Sequence, residues 1–338
     1  MVDPVLRIAS PVARGSGAFV VHSLLAQHIP GYALRPYSPW LSLFPPLIRG
    51  CRDLRADLVH APLDYAAFCA IPGKPLVSTL HGFVFDGTAR RYASPLRAVH
   101  YATDLRWFTL AALRRSTVVT VVSRFLEARL REELGFSGDI RVIYNGVDVD
   151  RFTPRTAPGE RPGPVRVLYT GGPSRHKGAD LIPAILDRLA PGIEFAQTAA
   201  NPGATGGIAH PRAAALVHAG NGGMPEVYRS VDLLLAPTRR EGFGLSIAEA
   251  MACGLPVVAT DCAAVPELIR HGSGGMLCPM DDVARFADAV NELAAAPGLR
   301  RDMGEFNRAR AVAEFGLERM VREYRELFAQ TREGYRPA

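Results

Sequence analysis

Three features are scarce in this sequence of 338 residues: paired cysteines, long apolar runs and lysine. The five cysteines are scattered without a Cys-x-x-Cys pair, which argues against a disulfide scaffold or a zinc site and favours reduced thiols in a cytoplasmic protein. No run of about 18 apolar residues occurs, so no segment is expected to span a membrane. The stretch MVDPVLRIAS is broken by proline too early for a signal peptide, so we expect a cytoplasmic location.

Lysine is the scarcest charged residue, since only Lys74 and Lys177 occur among 39 basic residues. The net charge of +6 comes entirely from the first half of the chain. Residues 1–160 hold 19 basic and 13 acidic residues, whereas residues 161–338 hold 20 of each. Such an imbalance decides which half attracts anionic partners.

Short apolar segments alternate with helical patterns along both halves. Strands are predicted at residues 5–10, 57–61, 75–81, 117–122, 141–144, 165–171, 193–197, 214–220, 232–237 and 255–260. Strands that are apolar throughout are buried on both faces, as in a parallel sheet covered by helices. With the Pro/Gly-rich stretch at 153–164, this predicts an α/β protein of two doubly wound, Rossmann-like domains, 1–155 and 161–315, facing each other across a cleft.

The most informative segment is TRREGFGLSIAEAMACGLPVVATD, residues 238–261. Seven residues separate Glu241 from Glu249, Gly242 and Gly244 indicate a turn, and residues 245–253 predict a helix. The free amides at the start of a helix that follows a strand attract anions. Either glutamate alone would be an ordinary surface acid, but the turn, the helix of small residues and the following strand together favour a functional site.

The stretch YTGGPSRHKGADL, residues 169–181, is typical of phosphate binding without being a Walker loop. Lys177 lies just after two glycines at a helix start, where the helix dipole disfavours a cation. That unfavourable position favours a functional role over a solvated one.

Three other patterns are discounted. IASPVARGSG is not a G-x-G-x-x-G fingerprint, so an oxidoreductase has little support. The DVD at residues 148–150 has the form of a metal-binding motif but lies beside the proline-rich stretch, and no metal is predicted. RREG, residues 239–242, is interpreted as the rim of a cleft rather than a nucleic-acid patch, and no nucleic-acid partner is predicted.

EGFGLSIAEA resembles the E-x7-E motif of retaining glycosyltransferases with the two-domain GT-B fold, family 4 in particular. GLPVVATDCAAVPELI, HGSGGMLCPMDD and the segment at 121–152 resemble further parts of that family's pattern. The resemblance spans about residues 75–282 and is weak over the first 60. It implies transfer of a hexose-type sugar from a nucleotide-diphosphate sugar to an acceptor hydroxyl by metal-independent front-face substitution. It also implies a C-terminal helix, about 317–330, that crosses back to the first domain.

The same resemblance implies roles for residues of the second domain. Glu249 would hold the ribose of the donor nucleotide, and Glu241 would lie against the transferred sugar. The backbone amides of Phe243, Gly244 and Leu245 would meet sugar hydroxyls or the diphosphate.

The resemblance also implies how the diphosphate and the sugar are held. Lys177 would stabilise the leaving diphosphate. Gly172 stands where many relatives carry a second phosphate-binding arginine, and Arg175 is the nearest replacement. In the first domain, His81 would contact the sugar, and Gly17 would lie in a glycine turn near the diphosphate and acceptor.

The partners are predicted only by class. The donor carries uridine, guanosine or another nucleoside, and the acceptor is a glycan, a lipid-linked sugar or a small molecule. Residues 90–115 carry arginines at both ends and aromatics between them. They predict a packing helix, with peripheral attachment to an anionic membrane as the alternative. A catalytically silent sugar-nucleotide binding protein, prompted by Gly172, and a nucleotide-sugar epimerase are the alternative functions.

Overall fold

The computed structural model describes residues 5–87, 91, 95–155, 163–171, 174–198, 207–217 and 223–336, without the side chains of 95–98 and 214–217. The chain divides into two compact units. Unit 1 comprises Met1–Gly146 with Glu318–Ala338, and unit 2 comprises Val147–Leu317. Each unit contains one six-stranded sheet, and every recorded strand pair is parallel, which confirms the predicted α/β class.

Unit 1 has the strand order β2-β1-β3-β4-β5-β6. Its strands are β1 (Ile8–Ala13), β2 (Tyr32–Tyr37), β3 (Leu58–Pro62), β4 (Leu76–Leu80), β5 (Val118–Val121) and β6 (Ile140–Val142). Its described helices are α1 (Gly17–His28), α2 (Ala66–Cys69), α3 (Pro95–Ala102), α4 (Asp104–Arg115) and α5 (Arg124–Leu134), followed at the C-terminus by α12 (Leu317–Gly334). Tight 3-10 turns occupy Pro39–Leu43, Pro45–Cys51 and Leu63–Tyr65.

Unit 2 has the strand order β12-β11-β10-β7-β8-β9. Its strands are β7 (Val165–Tyr169), β8 (Ile193–Thr198), β9 (Ala213–Val217), β10 (Leu233–Ala236), β11 (Val257–Thr260) and β12 (Gly275–Cys278). Its described helices are α6 (Ile182–Leu186), α7 (Met224–Arg229), α8 (Leu245–Ala252), α9 (Val265–Leu268), α10 (Val283–Ala295) and α11 (Pro297–Glu314). The order reverses between β7 and β10, the position at which doubly wound sheets bind ligands.

Helix α12 packs with unit 1. Met320 Sδ accepts a hydrogen bond from the Gly146 amide at 3.0 Å. Tyr324 and Phe328 are buried, and their rings contact the ring of His60 on β3, each with a centroid distance of 5.2 Å. The last helix therefore completes the core around the sheet of unit 1.

The structure also shows features that the sequence patterns did not predict. β2 and β12 are edge strands that pair only with β1 and β11. Within residues 90–115, for which a packing helix is predicted, the structure has two helices, α3 and α4, because Thr103 leaves helical geometry (φ −109°, ψ −97°). None of the helices in the described part of the chain has the length and apolar surface that crossing a bilayer requires.

The division between the units falls at Gly146, ahead of the proline-rich stretch. The Val147 amide donates to the Phe315 carbonyl at 2.8 Å, and the ring of Phe152 packs edge-on against Tyr228 at 6.0 Å. These contacts tie the segment containing the DVD sequence to unit 2.

Candidate functional site

The loops after β7 and β10 begin where the strand order of unit 2 reverses. The first contains the 3-10 turn Arg175–Lys177, and the second runs from Pro237 to the start of α8. At Gly178 the two loops approach each other closely. Its φ is +72°, and a Cβ there would lie 2.0 Å from the Pro237 carbonyl oxygen. Only glycine permits this approach, and it carries Lys177 to the second loop.

Lys177 and Glu241 form an ion pair between Nζ and Oε1. Their side chains are 30% and 13% exposed, so the pair is partly shielded but reachable from solvent. An ammonium has three N–H donors, and Glu241 occupies one of them. The sequence predicted both residues but not that they pair. The arrangement orients a compact positive charge with donors to spare for another anion.

Arg239 lies beneath this loop, and sequence reasoning missed it. Its guanidinium is 3% exposed and donates to Asp180 at 2.6 and 3.0 Å, to Asp281 at 2.5 Å and to the Arg175 carbonyl. Burial alone lowers the pKa of Arg239, but the hydrogen bonds to the two aspartates outweigh it and raise the pKa. Arg239 of the RREG segment is therefore buried, and it fixes the backbone of the loop that contains Lys177 from inside.

Arg175 has a different environment from Arg239. Its side chain is 70% exposed, with Nε 3.8 Å from Asp180, while its carbonyl is held by Arg239. Gly172, for which Arg175 was the predicted substitute, lies outside the described residues. The role of Arg175 stays a prediction.

The start of α8 follows the glycine turn as expected. Gly244 has a φ of +102° and caps the helix, and Leu245 is its first residue. The Phe243 ring is buried and packs edge-on against Phe315 at 5.7 Å. Only the backbone of Phe243 can therefore serve a ligand, and the roles of the three amides remain predictions.

Glu249 lies on α8, half-buried, and accepts a hydrogen bond on Oε2 from the Tyr228 hydroxyl at 2.8 Å. Among the described residues, its Oε1 has no hydrogen-bond partner. Burial raises the pKa of Glu249 to about 7, although the Tyr228 hydrogen bond and the charge of Arg151 oppose this. The sequence did not predict Tyr228, whose hydroxyl orients the carboxyl group.

In unit 1, His81 follows β4 directly at the carboxyl edge of the sheet. Its Nε2 lies 3.2 Å from Nε2 of His22 on α1, a distance that lets one ring donate to the other. His81 Nδ1 is buried and has no hydrogen-bond partner among the described residues. Burial lowers the pKa of His81 to about 4, so its imidazole is neutral at pH 7.

His22 begins a buried network that the sequence did not reveal. Its ring stacks on that of His60 with centroids 4.3 Å apart, and its Nδ1 is 2.7 Å from Ser10 Oγ. The Tyr32 hydroxyl lies 3.0 Å from His22 Nδ1 and 2.7 Å from His60 Nδ1. Burial lowers the pKa of both histidines well below the usual value. Spacing alone could not find the network, because its members come from four separate elements, β1, α1, β2 and β3.

Gly17 is the first residue of α1, whose N-cap, Ser16, accepts from the Phe19 amide at 3.0 Å. A Cβ at Gly17 would meet nothing within 4 Å, so packing does not require glycine there. In the described part of the chain, no group of three or more His, Cys, Asp or Glu side chains is arranged to hold a metal ion.

Comparison with known proteins gives matches in both halves of the chain. The family described as Glycosyltransferase Family 4 matches residues 7–151, and that described as Glycosyl transferases group 1 matches residues 164–296. The lipopolysaccharide core biosynthesis mannosyltransferase LpsB of Rhizobium meliloti is 33% identical over 275 residues, covering 67% of this chain and 77% of LpsB. Three other curated relatives are matched over only 27%, 53% and 24% of their own length.

Solved structures with the same fold include two over nearly the whole chain. Sucrose-phosphate synthase from Thermosynechococcus elongatus has a TM-score of 0.81 at 18% identity, covering 96% of this chain and 98% of that one. Anabaena HepE in complex with UDP-glucose has a TM-score of 0.76 at 19% identity, covering 96% and 100%. At such identities, the likeness shows the fold.

Proposed function

The chain belongs to the family 4 glycosyltransferases, with the GT-B fold that the sequence resemblance predicted, and on that premise we propose that it transfers a sugar from a nucleotide-diphosphate sugar to an acceptor hydroxyl with retention of anomeric configuration. The observation that carries the proposal is the Lys177–Glu241 pair at the point where the strand order of unit 2 reverses. HepE, solved with UDP-glucose, supports a donor of this class.

The diphosphate would bind at the loop after β7. Lys177 supplies a compact charge that can follow the negative charge growing on the leaving diphosphate. Arg239 keeps the loop backbone in place beforehand, so the charge needs no rearrangement during reaction. The exposed Arg175 is the second cation proposed to reach a phosphate.

The nucleoside would be held by Glu249. Its Oε1 has no hydrogen-bond partner among the described residues and can accept from a ribose hydroxyl, while Tyr228 holds Oε2. Because burial raises the pKa of Glu249 to about 7, the carboxyl group is only partly ionised at neutral pH unless the bound ribose lowers that pKa. Two hydroxyl donors from a ribose would do so by stabilising the carboxylate.

Glu241 and His81 would position the transferred sugar. Glu241 is held by Lys177 and is thereby oriented to accept from sugar hydroxyls. His81 presents a neutral imidazole with an unpartnered Nδ1 among the described residues, which suits hydroxyl recognition without adding charge. Neither residue is proposed to form a covalent adduct.

The proposed reaction is a front-face substitution. The bond from the anomeric carbon to the diphosphate oxygen breaks, and the diphosphate keeps the electron pair. The acceptor oxygen forms a new bond on the same face, and its proton passes to a diphosphate oxygen. The charge that develops is met by Lys177.

The test begins with a thermal-shift panel of uridine, guanosine, adenosine and cytidine diphosphates. A nucleotide at 100 times its dissociation constant stabilises the folded state by about 2.7 kcal/mol. The sugar donor with the selected base is then incubated with an acceptor panel, and NMR of the product gives the anomeric configuration.

Retention with net transfer supports the proposal. Nucleotide binding without donor cleavage across the panel would instead assign a silent binding protein. An epimer formed without acceptor would assign an epimerase, and the absence of any nucleotide stabilisation would overturn the donor site itself.

A further inference from the structure

An exposed apolar surface follows β2 in unit 1. Trp40, Leu43, Phe44 and Leu47, here called the apolar rim, are 76%, 65%, 67% and 60% exposed. Single exposed apolar side chains are ordinary on soluble proteins. Four large ones within residues 40–47 form a patch of the kind that marks an interaction surface.

The geometry of two successive 3-10 turns produces this exposure. Side chains three residues apart eclipse one another in a 3-10 helix. Trp40 and Leu43 form one such pair on Pro39–Leu43, and Phe44 and Leu47 continue it at the start of Pro45–Cys51. Pro45 and Ile48 are buried, which anchors the second turn to unit 1. The apolar rim is thus held outward by buried neighbours.

The second turn also carries unneutralised positive charge. Arg49 is exposed on it, and Arg52 follows it directly. Arg52 Nε donates to the Phe68 carbonyl at 3.0 Å, and Arg115 donates to the Ala67 carbonyl at 3.0 Å, so both are fixed on the short helix α2. None of these three arginines forms an ion pair with a carboxylate among the described residues. Burial lowers the pKa of Arg52, and the nearby charges of Arg49 and Arg115 lower it further.

The chain has two tryptophans, Trp40 and Trp107, and both lie exposed in unit 1. Trp107, on α4, is 64% exposed. The Trp107 ring contacts Phe108 at 5.4 Å, and Phe108 contacts Phe68 on α2 at 5.0 Å. α2 in turn packs against the turn Pro45–Cys51. A continuous set of contacts therefore links the second indole to the segment that carries the apolar rim.

We propose that the apolar rim and the arginines Arg49, Arg52 and Arg115 dock unit 1 on an anionic phospholipid bilayer. Indole rings favour the headgroup region, and guanidinium groups bind phosphates with paired hydrogen bonds. Apolar side chains beside uncompensated basic ones are the combination that peripheral membrane surfaces use. The basic excess of residues 1–160 acts in the same direction.

The position of this surface suits an acceptor carried by a lipid. β1, β2, β3 and β4 are parallel, so the turn after β2 and His81 after β4 lie at the same carboxyl edge. Docking there would bring that edge to the membrane. This placement rests on the proposed function, whereas the docking itself does not.

The test uses the full chain with vesicles of phosphatidylglycerol and, separately, of phosphatidylcholine. We expect cosedimentation with phosphatidylglycerol that weakens as salt rises. Because both tryptophans lie in unit 1, their emission should shift to the blue on binding. Trp107→Phe leaves Trp40 as the sole reporter, and its blue shift should persist.

Two variants challenge the surface directly. Leu43→Ser with Leu47→Ser, and separately Arg49→Glu, should each weaken vesicle binding roughly tenfold or more. Val312→Ser, at a side chain 48% exposed in unit 2, and Arg301→Glu are the matched controls and should bind as the wild type does. Nucleotide stabilisation should be unchanged in all of them, so failure of docking is separable from failure of the donor site.

Three results would overturn the proposal. The first is no binding to phosphatidylglycerol vesicles at low salt. The second is binding that the variants of the apolar rim and Arg49 leave unchanged, or that leaves the Trp40 emission unmoved. The third is a dimer in solution that dissociates on Leu43→Ser with Leu47→Ser, which would assign the surface to a second copy of the chain.

Discussion

The carboxyl edges of the two sheets differ in charge: one carries ionised side chains and the other carries neutral ones. In unit 2 the edge is ionised, with Lys177 paired to Glu241 above a buried Arg239. In unit 1 the edge ends at His81, whose partner His22 belongs to a buried network of rings kept neutral by burial. The difference suits the two tasks proposed for these edges. A fixed charge stabilises a group whose charge grows, whereas neutral donors and acceptors recognise hydroxyls.

The charged edge of unit 2 and the neutral edge of unit 1 are also disrupted under different conditions. Preorganised charges in unit 2 depend on keeping both members of each pair, since an orphaned buried charge is costly. The neutral network in unit 1 depends on keeping protons away from its imidazoles. Removing one member of an ion pair should therefore affect unit 2 more than unit 1. Acid should affect unit 1 more than unit 2.

The largest effect is expected from Lys177→Ala. Removing one preorganised charge donor should lower turnover of the donor by roughly two to three orders of magnitude. Stability should change by no more than about 1 kcal/mol, because the pair with Glu241 is partly exposed. Steady-state kinetics and thermal unfolding measure the two effects separately.

Lys74→Ala is the matched control, since it replaces the only other lysine of the chain. It should leave turnover unchanged. Nearly full activity in Lys177→Ala would show that Lys177 is not part of the catalytic machinery. The difference between the two edges would then have no functional role.

The next effect is on stability and comes from Arg239→Met. Losing this guanidinium leaves Asp180 and Asp281 without their shared partner. A cost of about 2–3 kcal/mol is expected, below that for fully buried pairs because both aspartates are about one-third exposed. Circular dichroism should show unit 2 unfolding earlier, while tryptophan fluorescence, which reports unit 1, should be unmoved.

Arg240→Met provides the comparison on the same loop. Arg240 is half-buried and forms no ion pair among the described residues, so this change should cost little. Equal losses in the two variants would mean that any long cation on the loop serves, and that Arg239 does not hold it from inside.

Most of the fold could be predicted from the sequence, because its central strands are buried and mostly apolar. β4 is buried at all five positions, and its neighbours β3 and β5 are nearly so. The edge strands β2 and β12 were not predicted because they lack that pattern, whereas the edge strands β6 and β9 were predicted. β2 is buried only at its two ends and contains Pro36. β12 begins at Gly275, where a Cβ would lie 1.9 Å from the Val257 carbonyl oxygen. Such strands look like loops until their neighbours are known.

The candidate site was predictable to the extent that its residues share a local motif. Glu241 and Glu249 were found because they flank one helix start, and Lys177 because glycines precede it. Tyr228 and Arg239 were missed because their roles arise from contacts across separate elements. Spacing carries no information on such contacts.

The smallest effect tests the neutral edge of unit 1 by pH. In the unfolded chain each histidine titrates near its usual pKa of about 6.5, whereas burial lowers the pKa of His22, His60 and His81 in the folded state. The unfolded state therefore binds more protons below about pH 6.5. Stability is kept above that pH and is lost towards pH 4, where His81 itself titrates, at about 1.4 kcal/mol per pH unit for each histidine.

His60→Asn should reduce the dependence of the unfolding free energy on pH by the contribution of about one proton. This holds whatever the variant does to absolute stability. Unfolding followed by tryptophan fluorescence isolates unit 1, since both tryptophans lie there. His28→Asn, at an exposed ring on α1, is the control and should keep the wild-type slope. If His60→Asn also keeps the wild-type slope, burial does not lower the pKa of His60 in the folded protein, and the proposed contrast between the two edges fails at this residue.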